Sequence, residues 1–156
     1  MRIINKDEAL ALFKVKKINL VTGSFDLIHA GHIDFLKQAK SHNPQIPLLV
    51  IVLNDDNIKA RKGPTRPIYP LQERLLILSS ISYIDYLLPW QYPWEGIRDF
   101  VGTIQIMNLF ITTKDPGVEN KQKIALEYGF NVIKLKQYNQ VSTTSIIERI
   151  IKYAKK

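Results

Sequence analysis

The sequence predicts an α/β fold: a single Rossmann-like domain over residues 1–156, with a five-stranded parallel sheet and helices on both faces. Three observations predict it. Strand-like and helix-like runs alternate along the whole chain, as right-handed crossovers between parallel strands require. The run LLVIVL at 48–53 is apolar at every position, as in a strand covered on both faces. The chain of 156 residues is 46% hydrophobic and 23% charged, enough to bury one core without disulfides or metal staples.

The elements follow in order. Asp7 to Phe13 reads as a short leading helix. Lys17 to Thr22 is β-branched and apolar, and breaks at Gly23. Residues 29–41 read as a helix with Ile33, Leu36 and Ala39 on one face. Pro47 opens the second strand, 48–53. The stretch from Asn54 to Pro70 reads as a long polar loop, and loops of that length in a compact domain tend to carry function. Pro70 stands where a helix can start, with Leu71, Leu75 and Leu78 at helical spacing. Asp85 to Leu88 reads as a strand, Trp94 to Ile104 as a helix and Leu109 to Thr112 as a strand. A helix over 118–128 is closed by Gly129, and Asn131 to Lys136 reads as the last strand. Ser145 and Glu148 have capping-box spacing, ahead of a stripe of Ile146, Ile147, Ile150, Ile151 and Ala154.

Composition narrows the function. No apolar run is long enough to span a membrane. The first twenty residues mix acids and bases into the apolar stretch, unlike a signal peptide. With no cysteine there is no disulfide framework and no thiolate metal site. These features favour a soluble cytoplasmic protein. The formal charge of +8 suits anionic partners, but the lysines are scattered and KARKG at 59–63 is too short for a nucleic-acid patch.

In α/β sheets ligands sit beyond the carboxyl ends of the strands, so the turn after the first long strand is where chemistry is expected. It reads Thr22-Gly23-Ser24-Phe25-Asp26-Leu27-Ile28-His29-Ala30-Gly31-His32 and holds two of the three histidines. Their spacing puts both on one side of the first helical turn. Gly23 and Gly31 leave the backbone open to a close approach, and the helix start points amide donors and a positive dipole end at the same spot. That combination suits a polyphosphate. Two histidines without a third ligand make a poor zinc site.

GSFDLIHAGH resembles the signature of the HxGH nucleotidyltransferases, a family that includes cytidylyltransferases and several adenylyltransferases. The resemblance implies that His29 and His32 contact the phosphates of a nucleoside triphosphate while an acceptor phosphate attacks the α-phosphorus and pyrophosphate leaves. It implies assistance by Mg2+ held mainly through the nucleotide phosphates, with no metal ligands from the protein. It carries catalytic roles to Lys62 and Arg74 in KGPTRPIYPLQER. Nucleotide binding falls to Gly23, Ser24, Phe25, Asp26, Gly31, Asn54, Asp56 and Arg66, and to Ser142, Thr143 and Thr144 of a VSTTSI element. Asp26 is read as holding the loop, since an acceptor phosphate is already ionised near pH 7 and needs no strong base. The partners implied are a nucleoside triphosphate and a small phosphorylated acceptor, with no nucleic acid or membrane, and a homodimer.

The match extends furthest toward the heptose-1-phosphate adenylyltransferase domain branch, through the leading helix, HAGH, Asn54-Asp55-Asp56, KGPTRPI and the Ile84-Asp85-Tyr86 strand. It covers roughly 3–90 and again 141–151. Elsewhere the chain departs. Thr112 to Gly117 stands where the family carries a Gly-Asp-rich stretch, and only Asp115 can substitute. Trp90 to Trp94 replaces an Asp-Thr-Pro element; its tryptophans read either as an altered acceptor pocket or as packing. Gln137, Asn139 and Gln140 replace the Arg-x-Glu-Gly of the cytidylyltransferases, which argues against CTP. The expectation is AMP transfer from ATP to a sugar phosphate or similar small phosphate. The alternatives are a cytidylyltransferase acting on glycerol-3-phosphate or another alditol phosphate, and a nucleotide-binding protein that has lost catalysis.

Overall fold

A computed structural model describes residues 1–113, 115, 117–136 and 141–155. Its strands are β1 (Arg2–Ile3), β2 (Ile18–Gly23), β3 (Leu48–Leu53), β4 (Tyr86–Trp90), β5 (Ile106–Thr112) and β6 (Asn131–Leu135). Its helices are α1 (Lys6–Phe13), α2 (Ala30–His42), α3 (Asp55–Lys62), α4 (Leu71–Ser79), α5 (Gly96–Val101), α6 (Val118–Tyr128) and α7 (Thr143–Ala154).

The strands form one sheet in the order β1-β4-β3-β2-β5-β6, and every neighbouring pair is parallel. The sheet has six strands, not the five expected. The extra strand, β1, is two residues pairing Arg2 with Tyr86 and Ile3 with Leu87 at the edge of β4. Both residues are exposed, so no burial pattern marks them in the sequence.

β3 shows why an all-apolar run belongs inside. Its six residues are all buried, and alternate side chains serve opposite faces. Leu49, Ile51 and Leu53 join one core with Ala9 and Phe13 of α1, Phe100 of α5 and Ala125 of α6. Leu48, Val50 and Val52 join the other with Leu36 and Ala39 of α2 and Leu75 and Leu78 of α4.

Two helix starts are set by reciprocal caps. Asn5 Oδ1 accepts from the Glu8 amide at 2.9 Å, while Glu8 accepts from the Asn5 amide at 2.9 Å, so α1 begins at Lys6. Ser142 and Ser145 form the corresponding box on α7, which moves the expected Ser145–Glu148 cap one turn earlier. The largest local correction is α3, expected as loop. Asn54 caps it through the Asn57 amide at 2.8 Å. Asp55 and Asp56 sit at its positive end, Lys59, Arg61 and Lys62 at its negative end, and Ile58 is its one buried anchor.

β2 has β3 on one side and β5 on the other, so the chain leaves it in one direction and later returns to its opposite flank. The crevice between the carboxyl ends of β2 and β5 is the switch point of the sheet.

Candidate active site

A cavity of about 600 Å3 opens at that switch point. β2 and its turn contribute Thr22 to Asp26, α2 contributes His29, Gly31, His32 and Phe35, and β5 contributes Phe110 to Thr112. Lys62, Arg66, Asp115 and Val141 to Thr144 complete the wall. The three motif segments found in the sequence thus face one space.

His29 is the N-cap of α2. Its Nδ1 accepts the Gly31 N–H at 3.1 Å, which leaves Nε2–H as the donor of the neutral ring. The His32 ring lies against it, centroids 3.9 Å apart, and the Phe25 ring packs on His32 at 5.4 Å. Burial pushes both histidines below their ordinary value. His32, beside the His29 ring and the Lys62 charge, is pushed down to about 3. Both imidazoles are therefore neutral at pH 7.

The glycines do not leave open backbone. A Cβ on Gly23 would meet the Phe25 ring at 2.8 Å, and one on Gly31 would meet the His29 ring at 3.0 Å. These close approaches let the protein's own rings stack down onto the turn. On the Cβ side of those two backbones the space is filled by Phe25 and His29.

Phe25 and Leu27 hold φ of 51° and 48°, the left-handed region that costs non-glycine residues on the order of 1 kcal/mol or more each. Asp26 between them holds the turn. Its buried carboxylate accepts from Arg66 Nε at 2.7 Å and from the Ile68 and Tyr69 amides at 2.9 and 3.0 Å. Burial alone would raise its pKa; the Tyr69 and Ile68 amides and the Arg66 guanidinium outweigh burial and hold it below the usual value. The Asp26 carbonyl also accepts from Thr143 Oγ1 at 2.7 Å. One residue therefore ties the β2 turn, the 66–69 segment and the start of α7 together.

The cations divide into spent and available. Arg66 is committed to Asp26, with a second contact at 2.6 Å. Lys62 makes no ion pair among the described residues, and burial together with the charges of Arg66 and Arg61 lowers its pKa. At the starts of α2 and α7 the Gly31 and Ser145 amides are taken by the caps of His29 and Ser142 and the His32 amide by the His29 carbonyl, so the amides of Ala30, Thr143 and Thr144 are those with no acceptor among the described residues. Of the VSTTSI hydroxyls, those of Ser142 and Ser145 accept each other's amides and that of Thr143 binds the Asp26 carbonyl, while that of Thr144 has no partner among the described residues.

Three expected site residues lie elsewhere. Arg74 is wholly buried and does not line the cavity. Its guanidinium donates to the carbonyls of Ser24 at 2.6 Å, Leu53 at 2.8 Å and Tyr69 at 3.0 Å, and to Asp55 at 2.6 Å. It joins the ends of β2 and β3 and stands behind the cavity wall. Asn54 is spent on capping α3, and Asp56 is exposed beside Lys59. The cavity also uses Thr22, Phe35, Phe110, Ile111 and Thr112, which the sequence reading did not single out as site residues. Only the strand order, which brings β5 beside β2, marks Phe110 to Thr112. Gln137, Asn139 and Gln140 lie outside the described residues.

The cavity carboxylates do not offer a magnesium site. Asp26 is saturated by Arg66 and two amides, and Asp115 is neutralised by Lys121 at 2.6 Å and accepts the Gly117 amide at 2.8 Å. Among the described residues no group of three or more His, Asp and Glu side chains could hold a metal ion, and no helix is long and apolar enough to cross a membrane.

Comparison with known proteins agrees with this geometry. Residues 20–149 match the family model described as Cytidylyltransferase-like. The chain is 32% identical over 145 residues to the Bifunctional protein HldE of Shewanella loihica, covering 90% of this chain and 29% of that protein. Against the Helicobacter pylori P12 protein of the same name it is 30% identical over 150 residues, covering 96% of this chain and 31% of that one. The chain thus spans under a third of these relatives. Among solved structures, the lipopolysaccharide core biosynthesis protein of Thermoplasma volcanium is similar at a TM-score of 0.56 and 25% identity, over 79% of this chain and 96% of that one. A cavity at the switch point, lined by an HAGH helix start, and a match over most of the chain give one conclusion: this protein belongs to the cytidylyltransferase-like family of nucleotidyltransferases.

Proposed function

We propose that this protein transfers AMP from ATP to a sugar phosphate or similar small phosphate. The observation that carries the reading is the convergence on one cavity of two neutral imidazoles, Lys62 with no ion pair among the described residues, and two helix starts. Every one of these groups favours a polyphosphate. The sugar-phosphate acceptor is supported by the resemblance to the heptose-1-phosphate adenylyltransferase branch.

The reaction is an in-line displacement. An oxygen of the acceptor phosphate bonds to the α-phosphorus as the bond from that phosphorus to the bridging β-oxygen breaks, and pyrophosphate carries the electron pair away. Negative charge spreads over the equatorial oxygens and onto the leaving group. His29 Nε2–H, His32 and Lys62 meet that charge as donors, and Arg66 keeps the 66–69 wall in place through Asp26. The acceptor is already an anion, so no protein base is needed. Magnesium, which the family uses, would neutralise phosphate charge; with Asp26 and Asp115 both occupied, it would ride on the nucleotide.

The reading is tested by pyrophosphate release with ATP and CTP in parallel, with magnesium, across acceptors including heptose-1-phosphate and glycerol-3-phosphate. Turnover with ATP and a sugar phosphate is expected. Preference for CTP with an alditol phosphate would replace the proposal by its cytidylyl counterpart. Tight nucleotide binding with no pyrophosphate from any acceptor would point to a lost catalyst.

A pH profile is expected to follow from the neutral donors. Because burial holds both histidine pKa values below 6.5, donation comes from neutral N–H groups and turnover stays level between pH 7 and 8.5. A site that needed an imidazolium would instead lose about tenfold per pH unit above the histidine pKa. Lys62 has a lowered pKa of its own, so a decline of that slope that persists in Lys62→Arg would rule out the neutral-donor assignment.

A further inference from the structure

The segment after β4 replaces a family element, and the structure gives it a task at a distance from the reacting atoms. The Trp94 ring lies under the Arg61 guanidinium, whose Cζ is 4.3 Å from the ring centroid. The Tyr92 carbonyl accepts from Asn57 Nδ2 at 2.9 Å, and the Trp90 carbonyl accepts from the Asn54 amide at 3.2 Å. Tyr92 is itself under the Lys6 ammonium, 4.6 Å from the centroid. Trp90 is wholly buried, its indole N–H donated to the Pro93 carbonyl at 3.0 Å. Alternate residues of one segment thus grip the N-cap, the first turn and the last turn of α3.

What they grip is the helix that ends in Lys62. At eight residues, α3 is too short to hold its shape by helix propensity alone. Ile58 is its one buried side chain, so its last turn has no apolar anchor of its own. Arg61 stacks outward on Trp94 while the next residue, Lys62, lines the cavity.

We propose that Trp94 is a positioning residue: by stacking on Arg61 it fixes the last turn of α3 and keeps Lys62 aimed into the polyphosphate cavity. This rests on the reading of that cavity as a triphosphate site. The 90–94 segment is then neither an acceptor pocket nor inert packing. It stabilises the position of Lys62, the cavity cation that no carboxylate holds among the described residues.

The test is a double-mutant cycle read on two properties. Calorimetry with inorganic tripolyphosphate measures the cavity without requiring turnover, and kcat/KM follows the reaction. Trp94→Leu is expected to weaken tripolyphosphate binding and lower kcat/KM, each by about three- to tenfold, the range of a lost cation–π contact. Trp94→Phe keeps a ring face for the guanidinium and is expected to stay within about twofold of wild type. In a Lys62→Met background, Trp94→Leu is expected to add nothing further, because the group it aims is gone. An undiminished effect of Trp94→Leu in that background, or no rescue by Trp94→Phe, overturns the proposal. The two readouts separate the readings. Binding without turnover would count against the transferase assignment while the cycle still decides the brace; no tripolyphosphate binding by the wild type overturns both.

Discussion

Replacing His29 or His32 by alanine should lower turnover by about a hundredfold or more, as loss of a donor to transition-state charge commonly does. Folding should survive. His32 Nδ1 is buried without a hydrogen-bond partner among the described residues, so removing the ring abandons no bond there. His29 loses only the cap to Gly31, a contribution of about 1 kcal/mol. Full activity in both variants would sink the site assignment. His32→Ala has a second consequence that needs no substrate. The folded pKa of about 3 lies below the unfolded value of 6.5, so between those values the unfolded chain binds the proton and the folded chain does not. Wild-type stability should therefore fall as pH drops from 6.5, losing on the order of 2 kcal/mol by pH 4.5 through this group. Urea titrations at pH 7.5 and 4.5 should show a smaller acid loss in His32→Ala. Equal losses would mean that His32 is not held neutral by burial.

Arg74→Met should destabilise the fold rather than merely slow the reaction. The guanidinium has four acceptors: the Ser24, Leu53 and Tyr69 carbonyls and the Asp55 carboxylate. Methionine fills similar volume but leaves all four without their donor. The Asp55 carboxylate is 32% exposed and rehydrates, so the cost falls on the three carbonyls; leaving them without a donor costs on the order of 3 kcal/mol, a melting-temperature drop of roughly 10 °C for a domain of this size. Arg74→Lys should not rescue, since one ammonium cannot span the planar fork that joins β2, β3 and α3. A variant that melts like wild type but has lost turnover would restore Arg74 to a direct role on phosphate.

The sequence made β2, the HAGH turn and α2 legible because apolar run, glycine break and helical spacing coincide there. β3 was legible because a strand buried on both faces has no polar position to confuse the pattern. α3 was hidden by its composition. Seven of its eight residues are not buried, so there is no apolar stripe to see. The signal present was electrostatic: a capping Asn54, two acids, then three bases. Arg74 shows the opposite failure. Its sequence neighbourhood is that of a phosphate-binding arginine. Only the three-dimensional closeness of Ser24, Leu53 and Asp55 reveals that most of its donors are already used. The order of strands, which places Phe110 to Thr112 beside the histidines, is likewise absent from any local pattern.

The hydrogen bond from Thr143 to the Asp26 carbonyl joins residues 117 apart in the chain. It makes the cavity a long-range closure of the chain. The histidine turn can form as soon as β2 and α2 pack, but its opposite wall arrives only after four more strands have been laid down. α7 has no fully buried residue to hold it, so this wall has little apolar packing of its own to keep it closed. A polyphosphate that reaches from the start of α2 to the start of α7 would act as a clasp between early and late parts of the chain. Its binding energy would be returned as resistance of the last helix to fraying.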